Sequence, residues 1–129
     1  MSINSKERFL AGLWDWAIFD GCFGQTKIHP TDVDGLVERN GCFLFLEAKP
    51  SGGELKTGQR ITIESLSWQP RTWVIVFYGD PAALAVTRIT LYRRGQPEDQ
   101  PDPSLEALRK LVGCWYAGAD RYGRVRQDG

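Results

Sequence analysis

The sequence predicts an α/β fold, in which helices flank a central mixed β-sheet and the elements follow the order α-β-β-α-β-β-α. Asn40-Gly41 separates two runs of β-forming residues, which is typical of a tight hairpin. The apolar and aromatic run over 73–78 is typical of a strand that is covered on both faces. Segments in which apolar residues recur at helical spacing lie before, between and after these strands. One sheet with helices packed on it accommodates all of them.

The first half of the chain is expected to hold a helix, the hairpin and a second helix. The first helix extends from near Lys6 to about Phe19, because apolar residues recur there at helical spacing. A loop follows, and the hairpin covers 31–49. Pro50 and the glycines after it end the second strand, and Thr57 or a neighbour can cap the second helix.

The second half is expected to supply two more strands and the last helix. The strand over 73–78 is placed at the centre of the sheet, and alternating residues over 86–93 predict another strand. The prolines of 96–103 predict an exposed loop, and a final helix starts near its end. Glycine and arginine are frequent over 117–129, which predicts a loosely docked tail. We therefore divide the chain into a single domain over 1–116 and a C-terminal tail over 117–129.

Composition and charge are those of an ordinary globular protein. The 129 residues are 42% hydrophobic and 25% charged, which is enough for one domain with a core. Lys plus Arg and Asp plus Glu number 16 each, so no overall positive charge points to a nucleic-acid partner. The three cysteines form no Cys-x-x-Cys pattern, and no apolar stretch approaches the roughly 20 residues of a membrane span. These features predict a cytoplasmic protein without membrane association.

The hairpin carries a set of charged residues that suits metal-assisted hydrolysis. Glu47 and Lys49 are two residues apart, so on one strand they point to the same face. Asp32 and Asp34 share a face of the preceding strand by the same rule. Carboxylate oxygens from two strands can hold Mg²⁺, while a neighbouring ammonium stabilises charge on a phosphodiester. Asp34 is the stronger aspartate candidate because it lies closer to the apolar part of its strand, and Asp32 remains its rival.

Asp34, twelve intervening residues and Glu47-Ala48-Lys49 together resemble the signature of the PD-(D/E)XK nuclease superfamily. The segments 30–35 and 55–60 are similar to small phage and bacterial members, including nucleases that resemble Holliday junction resolvases and the VRR-NUC group. The resemblance implies a restriction-endonuclease-like core and a Mg²⁺-dependent deoxyribonuclease in which Mn²⁺ can substitute. It also implies that Asp34 and Glu47 bind the metal, that Lys49 is the catalytic lysine, and that a homodimer acts on DNA.

Two further site residues follow from the same resemblance and two from their position beside Gln59, and each has a plainer interpretation. Glu7 matches an acid of the first helix that binds metal directly or through water, whereas Asn4-x-x-Glu7 is equally a capping box. Gln59 matches a helix glutamine that contacts substrate or the catalytic lysine, and is otherwise an exposed residue of the first helical turn. Lys56 and Arg60 are expected to contact phosphate oxygens, or else are solvated residues at a helix end.

The remaining candidates are interpreted as ordinary structural residues. His29 lies beside a proline in a loop. Most of the five tryptophans are interpreted as core or interface residues and not as base-stacking residues, because they lie on helical or strand stripes. The sequence therefore predicts a metal-dependent nuclease that hydrolyses phosphodiester bonds, with DNA as the favoured substrate. The alternative is a non-catalytic protein that binds nucleic acid or a partner and retains the nuclease fold.

Overall fold

The computed structural model describes residues 12–128. The chain divides into two compact units, Met1–Asp32 and Val33–Gly129. Within the described residues, the second unit contains five strands and two α-helices, in this order: β1 (Gly35–Arg39), β2 (Cys42–Pro50), α1 (Thr57–Trp68), β3 (Thr72–Asp80), β4 (Ala85–Arg93), β5 (Gln96–Asp99) and α2 (Leu105–Asp128). None of the described helices combines the length and the apolar composition needed to cross a bilayer.

The five strands form one mixed sheet in the order β1-β2-β3-β4-β5. Strands β2 and β3 run parallel, and the other neighbouring pairs are antiparallel. The parallel pair needs a long crossover, which α1 provides between the two strands. The predicted α/β class, the mixed sheet and the central place of the strand over 73–78 are thus confirmed.

Each face of the sheet carries its own apolar cluster, because successive strand residues point to opposite faces. The α1 face has a buried cluster of five residues: Ile63, Val74, Val76, Tyr78 and Tyr92. The opposite face packs against α2 through eight buried residues: Cys42, Leu44, Ile75, Ile89, Leu91, Leu108, Trp115 and Ala119. Side chains that point from β2 towards the α1 face, Glu47 and Lys49 among them, therefore border the smaller cluster.

The turn between β1 and β2 fixes the register of the hairpin. Asn40 and Gly41 have φ angles of 54° and 79°, the pair of positive values that a type I′ turn requires. The two-residue turn sets Arg39 opposite Cys42 and determines every pair that follows. The side-chain amide of Asn40 donates to the backbone carbonyl of Ala119 at 3.1 Å, which ties the turn to α2.

The prediction of a first helix up to Phe19 is wrong in the part that is described. Residues 13–15 are not helical, and Trp16–Phe19 form a single 3₁₀ turn with no buried residue. The Ala17 N–H donates to the Asp15 carboxylate at 2.9 Å, and such local side-chain bonds compete with a continuous helix. The earlier part of the predicted helix, which includes Glu7, lies outside the described residues.

Two further predictions differ from the structure near the C-terminus. The predicted loop over 96–103 begins with strand β5, in which Asp99 accepts a hydrogen bond from Thr90 at 2.6 Å. The strand tolerates Pro97 because it lies at the edge of the sheet. The predicted tail from 117 is instead the second half of α2, where Ala119 is buried and Tyr122 packs against the core.

Candidate active site

The carboxyl groups of Asp34 and Glu47 lie next to each other at the open end of the hairpin. Asp34 precedes β1 by one residue, so it is not within the strand as predicted. Its Oδ2 accepts a hydrogen bond from the Ala48 backbone N–H at 2.9 Å. Gly35 pairs with Leu46, and this register sets Asp34 level with Glu47 on the neighbouring strand. The two carboxyl groups can share a hydrogen bond once one of them is protonated.

The surroundings of Glu47 raise its pKa above the ordinary value. Burial raises the pKa of Glu47, because it removes water from the charged form, and the nearby charge of Asp34 raises it further. The ammonium of Lys49 acts in the opposite direction but does not cancel these two effects. Keeping both carboxyl groups ionised in the folded protein is therefore unfavourable in free energy. Additional positive charge at the site would reduce this penalty.

Lys49 is held between its own strand and the start of α1. Its Nζ donates to Oε1 of Gln59 at 2.9 Å and lies 3.7 Å from Oε1 of Glu47. The side chains of Lys49 and Glu47 are only 17% and 21% exposed. Oε1 of Gln59 also accepts a bond from the Lys56 backbone N–H at 3.3 Å, so the amide is fixed by the first turn of the helix. The ammonium is consequently oriented rather than freely solvated.

Four predicted site residues come together in this way: Asp34, Glu47, Lys49 and Gln59.

No protein-family model, no curated protein and no solved structure matches this chain. The chemistry of the site is therefore argued from its own geometry. Among the described residues, no group of three or more His, Cys, Asp and Glu side chains is placed to hold a metal ion. The two carboxylates form a pair without a third side-chain ligand of those types within residues 12–128.

The two basic residues predicted to bind phosphate have different surroundings. Lys56 is exposed at the N-cap of α1, beside the amide of Gln59. The guanidinium of Arg60 forms an ion pair with Glu64 one turn along the helix, at 2.9 Å. Part of the charge of Arg60 is thus compensated within the helix, whereas Lys56 points its charge to solvent at the end nearest the site.

The rival aspartate belongs to the other compact unit and has a different partner. The Trp16 indole N–H donates to Oδ1 of Asp32 at 2.9 Å. His29 is also in that unit, where its Nδ1 lies 2.9 Å from the carbonyl oxygen of Pro30. Asp34 is the aspartate that contacts β2 directly.

Sequence reasoning missed the bond from Ala48 to Asp34, although the signal for it is present in the sequence. A two-residue Asn-Gly turn fixes which residues are opposite each other in a hairpin. Arg39 pairs with Cys42, and counting outwards from that pair sets Asp34 opposite Glu47. The turn thus predicts both the meeting of the two carboxyl groups and the approach of Asp34 to the next backbone N–H.

Proposed function

We propose that this protein is a divalent-metal-dependent nuclease that hydrolyses phosphodiester bonds in DNA and has a restriction-endonuclease-like core. The supporting observation is the meeting of the Asp34 and Glu47 carboxyl groups beside a lysine whose ammonium is fixed by Gln59. A protein that only binds nucleic acid or a partner does not require two carboxylates that repel each other at close range. Phosphodiester hydrolysis uses both the carboxylate pair and the oriented ammonium.

The donor set suits Mg²⁺ or Mn²⁺ better than a metal that needs a complete protein cage. Mg²⁺ is commonly held by one or two carboxylates, with water and substrate phosphate completing its coordination. Asp34 and Glu47 would hold the ion. The N–H and C=O of a strand residue point to the same side, so the carbonyl of Ala48, whose N–H faces Asp34, supplies another oxygen on that side.

When bound, the ion lowers the pKa of its water and neutralises charge on the phosphodiester. Lys49 contributes a second positive charge that stabilises the charge developing on the phosphate during hydrolysis. Gln59 acts as a positioning residue, because its Oε1 accepts from the ammonium at 2.9 Å and fixes its direction. Lys56, exposed at the same end of α1, can contact a neighbouring phosphate of the substrate.

The direct test is cleavage of branched, flapped, linear and single-stranded DNA with Mg²⁺ or Mn²⁺. Glu47→Gln keeps the size of the side chain and removes its charge. This variant should therefore cleave no DNA at any concentration of Mg²⁺ or Mn²⁺. Glu106→Gln is the matched control, since Glu106 is exposed on α2, on the other face of the sheet. Equal cleavage by both variants, or no cleavage of any substrate by the wild-type protein, would overturn the proposal.

A binding measurement tests the metal without requiring the correct substrate. A ligand that binds only the folded state at a concentration of 100 times its Kd stabilises by about 2.7 kcal/mol. Mn²⁺ should therefore raise the unfolding temperature of the wild-type protein, and EDTA should reverse the rise. Asp34→Asn should remove most of this effect. An equal Mn²⁺ shift in Asp34→Asn would show that the ion binds elsewhere.

A further inference from the structure

A cleft lies at the end of α1 that is remote from Gln59, where the helix meets the turn between β4 and β5. It encloses about 990 Å³ and is lined by twelve residues. Three of them are arginines (Arg71, Arg93 and Arg94) and two are tryptophans (Trp68 and Trp73). Glu98 is the one acid in the lining. A basic surface interleaved with aromatic rings is the composition that binds single-stranded nucleic acid.

Trp68 forms an exposed platform at this cleft. Its side chain is 64% exposed, although it is a large aromatic residue at the end of a packed helix. The indole lies against Gly95, where an added Cβ would overlap the ring, so one side of the indole is supported by backbone. Ser67 fixes this contact, because its hydroxyl accepts from the Gly95 N–H at 3.0 Å and its carbonyl accepts from the Arg94 N–H at 2.9 Å. The indole is thereby pre-organised for stacking.

Arg94 occupies a turn position that is unfavourable for an arginine. Arg94 and Gly95 have φ angles of 53° and 75°, so they form a type I′ turn in which Asn or Asp is the usual first residue. None of the ion pairs in the described part of the chain involves Arg94. The exposed guanidinium of Arg94 therefore has no described carboxylate to compensate its charge.

The other two arginines are held in place by neighbouring rings. Arg93 lies over Trp73, with 5.3 Å between its guanidinium carbon and the ring centroid, and pairs with Glu98 at 2.9 Å. Arg71 lies over Tyr122 in the same way at 5.4 Å, and no described carboxylate pairs with it. Nε of Arg71 also donates to the backbone carbonyl of Gly41 at 3.3 Å, so anions can bind the terminal nitrogens of Arg71 and the guanidinium of Arg94.

We propose that this cleft binds single-stranded nucleic acid, with a base stacked on Trp68 and phosphates on Arg94 and Arg71. Helix α1 connects the cleft to the site at its other end, since Gln59 and Trp68 are nine residues apart, about 13 Å along a helix. The inference concerns binding alone and does not rest on hydrolysis.

The test is fluorescence anisotropy of labelled oligothymidine in EDTA, where no metal-dependent cleavage can occur. Loss of one stacked base weakens binding by about 5- to 140-fold, so Trp68→Ala should do so while Trp68→Phe retains most of the affinity. Arg94→Ala should lower the salt dependence of binding by about 0.7 in log–log slope for one lost phosphate contact. Tyr116→Ala and Arg109→Ala remove an exposed aromatic and an exposed cation outside the cleft, and should change neither quantity.

Each other outcome would overturn the inference. Wild-type affinity in both Trp68→Ala and Arg94→Ala, with unchanged circular dichroism spectra, would show that the cleft takes no part in binding. Equal losses in Tyr116→Ala would show a non-specific effect. Labelled polyglutamate that binds more tightly than oligothymidine, and loses affinity in Arg94→Ala but not in Trp68→Ala, would assign the cleft to an acidic protein partner. If the wild-type protein did not bind oligothymidine, the proposal that the cleft binds single-stranded nucleic acid would also be rejected.

Discussion

Replacing Gln59 by alanine should destabilise the protein because it removes the fixed partner of a largely buried ammonium. Nζ of Lys49 donates to Oε1 of Gln59 at 2.9 Å, and the lysine side chain is 17% exposed. A hydrogen bond to a charged group contributes about 1.5–3 kcal/mol, and the higher helix propensity of alanine returns at most about 0.5 kcal/mol. Gln59→Ala should therefore lower the free energy of unfolding by about 1–2.5 kcal/mol.

Urea denaturation followed by tryptophan fluorescence measures this change. The matched control is Arg60→Ala on the same helical turn, which removes an exposed ion pair with Glu64 that contributes about 0.3–0.5 kcal/mol. A double-mutant cycle with Lys49→Met isolates the interaction, and its coupling energy should be about 1–2 kcal/mol. The reasoning fails if Gln59→Ala costs no more than Arg60→Ala, or if the coupling energy is zero.

Four further substitutions test the electrostatics of the site and the packing of α2. Glu47→Gln should stabilise the protein at pH 8, because the raised pKa makes the ionised form unfavourable in the folded state; the gain should vanish below the ordinary value of 4.5, where Glu47 is protonated in both states. Denaturation midpoints at pH 8 and pH 4 decide this. Gly118→Ala on α2 should stabilise by about 1 kcal/mol, since a Cβ there meets nothing within 4 Å. Gly123→Ala should lack that gain, because its Cβ would displace the Asn40 amide; equal stabilities in urea would refute the contact. Trp115→Ala should cost about 3–5 kcal/mol by opening a cavity under α2, and a calorimetric loss below 1 kcal/mol would contradict its buried position.

The features that sequence reasoning predicted are those specified by nearby residues. The hairpin follows from Asn40-Gly41, and α1 from apolar spacing after a loop rich in glycine. Glu47 and Lys49 share a face because strand residues alternate, and Asp34 is set opposite them by the turn. The contact between Lys49 and Gln59 was expected only from a family resemblance, because no local pattern determines how a helix docks on a sheet.

The features that sequence reasoning missed depend on competition between local and distant contacts. Strand β5 forms because it pairs with β4. Pro97 makes the segment resemble a loop when only the local sequence is considered, because proline is disfavoured within strands. The second half of α2 contains glycines, which suggested a tail, but Trp115, Ala119 and Tyr122 recur at helical spacing and pack on the sheet. Packing of that stripe outweighs the low helix propensity of glycine.

The compactness of the site along the chain has a consequence for folding. The bonds from Ala48 to Asp34 and from Lys49 to Gln59 close loops of only 14 and 10 residues. Short loops close quickly and at low entropic cost, whereas the parallel pairing must bring Thr72 beside Phe43. We expect the carboxyl pair to form in the transition state for folding, before the parallel pair is complete. Its repulsion then slows folding more than it speeds unfolding, and a cation that binds the pair should chiefly accelerate refolding.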